Sequence, residues 1–586
     1  MYILGISCFY HDSSAALLKD GKIVAAVQEE RITRKKHDVS FPINAIEYCL
    51  KSQNIKIEDI DHIAFYEKPF LKFERVLYQH LQSFPKSYQT FLSLLPSWFN
   101  EKLRIVKIIK KKLKYNKDIL FVEHHMAHAA GSFLISPFEK AAILTVDGIG
   151  EWTTTAYGIG EKNKIELLKE IKFPHSLGLL YSSITAYLGF KVNNSEYKVM
   201  GLAPYGNMDK KSNPYYEKLK KVIDVKEDGS YRLDMKYFSY HYKNKMPSKK
   251  LCTLLGHPIR KNSSELTEDH KDIAAALQLV TEEVLLKILN NVQKKTKCDN
   301  LVVAGGVGLN SVANGKFLKN TSFKKIWIQP DPGDGGTSVG AALFVYHTLL
   351  ENKRKFELKN AFLGPNFSQE EIKVFLDENK IVYHKFKSEK ELAQKTAKLI
   401  SEDKVIGWFQ GKMEWGPRAL GARSILSNAG NPKMQEILNL KVKHREKFRP
   451  FAPVVCEDDA TKYFECDKPI PSPTDFMLMV YPIKKQWHKK IPSVTHVDGS
   501  GRLQTIRREQ NYLYYDLIKE FKKISKIPIL INTSFNIRGE PIVCTPENAY
   551  KCMMGTEIDL LIMGNFMIKR EENPKDIWDS EKYAKD

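Results

Sequence analysis

Two histidines four residues apart, His124 and His128 in VEHHMAHAAGSF, are the residues whose spacing first suggests chemistry. On a helix both imidazoles leave from one face and can close on a single metal ion, while His125 points elsewhere. Spacing of this kind is weak by itself, because helices often carry histidines that hold no ligand. Two carboxylates strengthen it: Asp147 ends a buried-looking strand in TVDGIGE, and Asp334 lies in PDPGDGGT. Glycines beside both allow close backbone approach to an ion or a phosphate. A set of two imidazoles and two carboxylates suits iron(II), manganese or zinc without choosing among them.

Other segments offer donors to phosphate. The tips HDSSAAL (residues 11–17) and DGIGEWTTT (147–155) present backbone amides and hydroxyls. In AGGVGLN, Gly305, Gly306 and Gly308 lie between a strand and a helix, where an adenosine and its phosphates could approach the backbone. A tight structural turn explains that motif equally well. Toward the C-terminus, Arg418, Arg423, Lys443, Arg445, Arg449, Arg502 and Arg538 lie among Gly, Pro and aromatic residues. Arginines held in packed loops present paired donors that match phosphate or carboxylate. Any one of them reads as a structural salt bridge; the set reads as an anion pocket.

The elements that must position these groups follow from the hydrophobic pattern. MYILGIS and AALLKDGKIVAAVQ read as strands joined through a polar tip, with Asp20-Gly21 as a hairpin turn. KAAILTVDGIGEWTTTAYGIG repeats that pattern, and residues 70–117 have helical spacing with few breakers. LVVAGGVGLNSVANGKF and KIWIQPDPGDGGTSVGAAL each read as strand, glycine-rich loop and helix, hence parallel α/β units. Composition turns charged and irregular over residues 351–364, which places a domain boundary near 355/356 and gives units 1–355 and 356–586. Strands at VIGWFQ and PILINTS make the second unit α/β or α+β.

A chain of 586 residues exceeds a single core, and 43% hydrophobic residues predict order except in short loops and the last few residues. The net charge of +22 attracts anions, but much of it is lysine runs that read as solvated faces, and no nucleic-acid-reading motif accompanies it. Eight scattered cysteines without a CxxC pair exclude a zinc knuckle and suggest no disulfide framework. The N-terminus has no secretory pattern and no apolar run reaches membrane-spanning length, so the expected location is the cytoplasm.

Together these segments resemble the NodU/CmcH carbamoyltransferases over nearly the whole chain. The likeness rests on GISCFYHDSSAALLKDGKIVAAVQEER, EHHMAHAAGSF, TVDGIGEWTTT, SEYKVMGLAPYG, AGGVGLNSVANGK, PDPGDGGTSVGAAL, GKMEWGPRALGARSIL, VKHREKFRPFAPVV and NTSFNIRGEPIV, in that order. The resemblance implies an α/β protein with a duplicated N-terminal domain of the actin and sugar-kinase (ASKHA) type and a C-terminal YrdC-like domain. It implies that the C-terminal domain makes carbamoyl-adenylate from carbamoyl phosphate and ATP, with Mg2+. The N-terminal domain would transfer the carbamoyl group to a hydroxyl of a small molecule or glycan.

By the same resemblance His124, His128, Asp147 and Asp334 hold a divalent metal, Fe2+ before Mn2+ or Zn2+. His11 is the general base, Asp12 contacts the acceptor, and Gly148, Gly305, Gly306 and Asn310 line a nucleotide site. Arg418, Arg423, Lys443, Arg449, Arg502, Asn536 and Arg538 take carbamoyl phosphate and ATP, and a homodimer is implied. Two other readings stay open. A sugar-kinase-like phosphotransferase would yield ADP where adenylation yields AMP, and a nucleotide-gated RNA-binding protein would show salt-dependent RNA affinity.

Overall fold

Asp20 and Gly21 both take positive φ, 50° and 79°, the twist a two-residue hairpin needs to follow its strands. That turn joins β2 (Ser14–Lys19) to β3 (Lys22–Gln28), and the polar tip joins β1 (Tyr2–Ser7) to β2. The computed structural model describes residues 1–574; the final residues, expected to be unordered, lie outside them. It divides into two compact units, Met1–Ala26 with Val39–Leu358, and Val27–Asp38 with Lys359 onward.

The first unit is built from two sheets on one plan. The first has the order β3-β2-β1-β4-β5, with β4 (His62–Phe65) and β5 (Ile119–Phe121) parallel to β1. In the second, β6 (Lys140–Val146) pairs antiparallel with β7 (Thr153–Glu161), which pairs with β8 (Lys164–Lys172). A separate two-stranded ribbon joins β9 (Ile223–Val225) and β10 (Tyr231–Leu233). On the other edge of β6 lie β11 (Asn300–Ala304) and β12 (Lys325–Ile328), both parallel to it. Each sheet thus has its first strand in the centre, a hairpin on one side and two parallel strands on the other. The recurring hairpin pattern in the sequence is this duplication.

Two short helices fill the core of this unit. His124–Phe133 packs on β6 and β11, Thr337–Leu343 packs on β1, β2 and β4, and the two pack on each other. Their approach depends on missing side chains: a Cβ on Gly340 would lie 1.8 Å from the Ala127 carbonyl oxygen, and one on Gly131 3.2 Å from the Gly340 Cα. The helical stretch expected over residues 70–117 forms helices Pro69–Gln82, Tyr88–Asn100 and Ile105–Leu113.

The second unit carries a nine-stranded mixed sheet. Its order is His384–Lys385, Phe566–Lys569, Leu560–Met563, Ile406–Phe409, Arg423–Asn428, Leu530–Ser534, Ala452–Cys456, Ser500–Ile506 and Met479–Pro482. Helices Glu389–Ser401 and Tyr512–Ser525 pack together over it, burying Trp408, Leu426, Val454, Leu517 and Phe521. Segment Val27–Asp38 belongs here through two arginines: Arg31 donates to the Gly416 carbonyl at 2.9 Å, and Arg34 to those of Pro541 and Ile542 at 2.7 and 2.6 Å. Among the described residues no helix is long and apolar enough to cross a membrane.

Gly340→Ala should destabilise the first unit by roughly 1–3 kcal/mol, the usual cost of overpacking, because its neighbour is backbone and cannot rotate away. Urea denaturation of the full chain measures this, with a loss of divalent-metal affinity alongside.

Candidate active site

Glu151 sets the start of the histidine helix. Its carboxylate accepts the backbone N–H of His124 at 3.1 Å and that of Lys68 at 2.8 Å, satisfying donors a helix N-terminus leaves open. One helical turn then places both imidazoles at the same depth. His124 Nε2 lies 3.1 Å from His128 Nε2 and 3.2 Å from Asp147 Oδ2, and both nitrogens lie 3.5 Å from Asp334 Oδ1. All four side chains are buried, and their ligand atoms lie within 4.8 Å of one another.

Each carboxylate arrives from a different direction. Asp147 ends β6, and its Oδ1 accepts the Gly306 N–H at 2.8 Å. Ser176 donates to the Asp147 and Gly148 carbonyls at 3.2 and 2.8 Å while capping helix Leu177–Tyr187. Asp334 opens the turn into helix Thr337–Leu343, and Ser14 of the first polar tip holds that turn through the Gly335 carbonyl at 2.7 Å and the Ser338 hydroxyl at 2.8 Å.

Two imidazole nitrogens facing one another with two carboxylates is a donor set that a cation of the transition series would satisfy. Electrostatics in the pocket agree. Burial disfavours a charged His124, yet Asp334 and Asp147 push its pKa up to about 9. Burial likewise opposes ionised Asp147, and the surrounding imidazoles hold it well below the carboxylate range. The excess negative charge therefore captures protons where a cation can sit. His125 behaves as the sequence indicates, turned away with Nδ1 2.8 Å from the Thr145 hydroxyl and its pKa driven to about 3 by burial and the two neighbouring imidazoles.

His11 borders this cluster, its Nε2 3.6 Å from Asp334 Oδ2 and its Nδ1 2.9 Å from Asp12 Oδ2. Asp12, expected to meet the acceptor, here orients the imidazole. Burial opposes charge on His11, but Asp334, Asp12 and Asp147 raise its pKa to about 10.

The glycine-rich turn is partly structural. Gly305 has φ of 89°, and a Cβ there would lie 2.2 Å from the Val146 carbonyl oxygen, so it locks β11 against β6. Asn310 exchanges two 3.1 Å hydrogen bonds with Gln278 and caps helix Ser311–Asn320, which commits its side chain to the fold.

Sequence reasoning missed Glu151, and it missed a charged layer on helix Pro69–Gln82. Lys72 pairs with Glu67 in the interior, and Arg75, 7% exposed, is pushed down to about 10 by burial and lies over the Phe173 ring. Charges at positions 72 and 75 on one turn were the available signal.

In the second unit the C-terminal cations do not all play one part. Lys443 is buried; its ammonium donates to the Ser534 and Asn536 carbonyls and to Asn536 Oδ1 at 2.9 Å. Burial, with Arg445 and Arg449 nearby, lowers its pKa far below that of an ordinary lysine. Arg449 and Arg538 approach the two Glu446 oxygens at 3.5 and 3.6 Å. The structure thus gathers Lys443, Arg449, Asn536 and Arg538. Arg502 acts on His496, and Arg418 lies in a loop gripped by Glu414, whose Oε1 accepts the N–H groups of Leu420, Ala422 and Arg423 at 2.8 to 3.0 Å.

Arg423 departs from expectation. Fully buried, it donates to the carbonyls of Gln410, Gly411, Ala422 and Pro365 at 3.0 to 3.1 Å and stacks 3.6 Å above the Phe409 ring. Both of its terminal nitrogens donate to backbone carbonyls, so it shapes the loop.

One α/β unit thus carries a buried two-histidine, two-carboxylate cluster and the other carries crowded cations, and the family models identify the chain as a transferase. The family model for the carbamoyltransferase N-terminus matches residues 2–343, and that for the carbamoyltransferase C-terminus matches residues 397–570. The chain belongs to the carbamoyltransferase family. An uncharacterized protein of Synechocystis sp. is 46% identical over 98% of this chain and 97% of its own. Nodulation protein NolNO of Sinorhizobium fredii is 34% identical over 97% and 80%. Among solved structures, HypF from T. kodakarensis aligns with 60% of this chain and 48% of its own at a TM-score of 0.31 and 13% identity.

His128→Ala should lower divalent-metal affinity roughly 100-fold or more, since loss even of an outer-shell partner costs 10–100-fold. His125→Ala should keep the wild-type affinity; metal titration by calorimetry separates the two.

Proposed function

We propose that this chain is an ATP- and metal-dependent O-carbamoyltransferase acting on a hydroxyl of a small molecule or glycan in the cytoplasm. The convergence of His124, His128, Asp147 and Asp334 beside His11 carries the reading. The twin sheets of the first unit support assigning it to the ASKHA type, with transfer as its task. The second unit is read as YrdC-like and as the site of carbamoyl-adenylate formation.

In the second unit the crowded cations Lys443, Arg445 and Arg449 have a physical need for anions. Carbamoyl phosphate and ATP repel each other, and such a pocket lowers that repulsion. Water and the two substrates yield carbamoyl-adenylate, inorganic phosphate and pyrophosphate. The AMP moiety then serves as leaving group in the first unit, where the acceptor oxygen bonds to the carbamoyl carbon and the carbon–oxygen bond to AMP breaks.

His11 is the residue proposed to take the acceptor proton. Asp12 accepts its Nδ1–H, which leaves Nε2 as the basic atom. While Asp147 and Asp334 keep their full charge, His11 stays protonated and cannot accept. His124, His128, Asp147 and Asp334 would hold a divalent ion, Fe2+ before Mn2+ or Zn2+, which would supply positive charge to offset those carboxylates and to stabilise phosphate oxygens. Gly148 leaves backbone beside Asp147 to which a nucleotide can come close, while Gly305 and Gly306 hold the turn that faces it.

Purified protein given carbamoyl phosphate, ATP and Mg2+ should release pyrophosphate and inorganic phosphate, and AMP once an acceptor is present. Lys443→Met should abolish pyrophosphate release, whereas His128→Ala should retain it and lose transfer. ADP as the sole nucleotide product would instead identify a kinase.

A further inference from the structure

Helix Pro69–Gln82 is inside out. Its inward stripe holds Lys72, Arg75 and His80 together with Pro69 and Val76, while its solvent stripe holds Phe70, Leu71, Leu77, Tyr78 and Leu81 around a single acidic residue, Glu74. A surface helix in water has the opposite arrangement, with charge outward and apolar groups inward. The next helix continues the pattern, with Tyr88, Leu92, Pro96 and Phe99 on one exposed stripe at spacings of four, four and three. The stripes meet where the Phe84 and Tyr88 rings stand 6.4 Å apart, edge to face.

Of the twenty-one exposed large apolar side chains among the described residues, ten fall between Phe70 and Val106. Phe70 is 74% exposed, and Leu81 and Phe84 are 67% exposed. Concentration of this kind marks a docking surface, since scattered exposed apolar residues need no explanation and clustered ones do.

The charge of the same stretch selects the occupant. Residues 68–117 hold twelve Lys and Arg against two Asp and Glu, an excess of +10 out of the chain's +22. Lys86, Lys107, Lys111, Lys112 and Lys114 are exposed in the same insertion. A second copy would bring the same positive charge to the same face and be repelled. Aromatic and leucine side chains in a lysine-rich segment suit the interface of a bilayer carrying anionic headgroups, where rings settle among acyl chains and lysines near the surface are attracted to the headgroups.

We propose that the helical insertion Pro69–Leu113 docks the protein onto an anionic lipid surface. The link to the site is short: the Glu151 carboxylate binds the N–H of Lys68 at the root of the insertion and that of His124 at the root of the metal-binding helix.

The test is flotation of the full chain with phosphatidylcholine vesicles, plain or containing roughly one-third phosphatidylglycerol. Wild-type protein should float with the anionic vesicles and remain behind with the neutral ones. Phe70→Ser/Leu81→Ser/Phe84→Ser should lose at least about tenfold in vesicle affinity. Lys107→Glu/Lys111→Glu should lose about as much, with unchanged circular dichroism in both. Wild-type protein that stays with the buffer at low salt overturns the proposal. A dimer in sedimentation that the serine variant dissociates, without vesicle binding, also overturns it and assigns the face to a second copy. Pyrophosphate release from all three proteins is read in parallel, because its failure would sink the proposed reaction and leave the flotation result standing.

Discussion

Backbone-to-backbone contact between two short helices is the constraint on which the first unit depends. Where Gly340 lies under the Ala127 carbonyl, no side chain of any size fits. Only at that separation can a histidine pair on one helix and an aspartate at the root of the other share a pocket a few ångströms wide. Each helix is pinned to its own sheet, so the twin sheets serve as the two jaws that hold this contact.

The pocket is held open electrostatically as tightly as it is closed sterically. Two buried carboxylates cost more than the fold can offset unless positive charge joins them, and in this structure protonated imidazoles supply it. The same field raises the pKa of His11 to about 10 against the opposing effect of burial. In the second unit the sign is reversed: Lys443 and its arginine neighbours crowd together, and burial adds to their mutual repulsion.

Much of this was legible from residue order alone. The histidine spacing, Asp147, Asp334, the hairpin at Asp20-Gly21 and both strand–loop–helix units emerge from periodicity and glycine placement, because local backbone preferences agree with the final fold. What escaped was long-range. Nothing near Glu151 announces that it caps a helix 27 residues earlier. Arg423 and Lys443 both read as free cations in the sequence, yet the three-dimensional arrangement of carbonyls shows that both donate to backbone. The inverted face of the insertion is equally hidden, since periodicity identifies an amphipathic helix without saying which side is turned to water.

The assignment of Val27–Asp38 to the second unit has a consequence for how such a chain can evolve. Arg31 and Arg34 are encoded near the front of the gene but grip carbonyls at Gly416, Pro541 and Ile542. Recombination that exchanged everything after residue 358 with a distant relative would import loops shaped for someone else's arginines. The halves are thereby tied into one heritable block, and drift in either must be answered by the other.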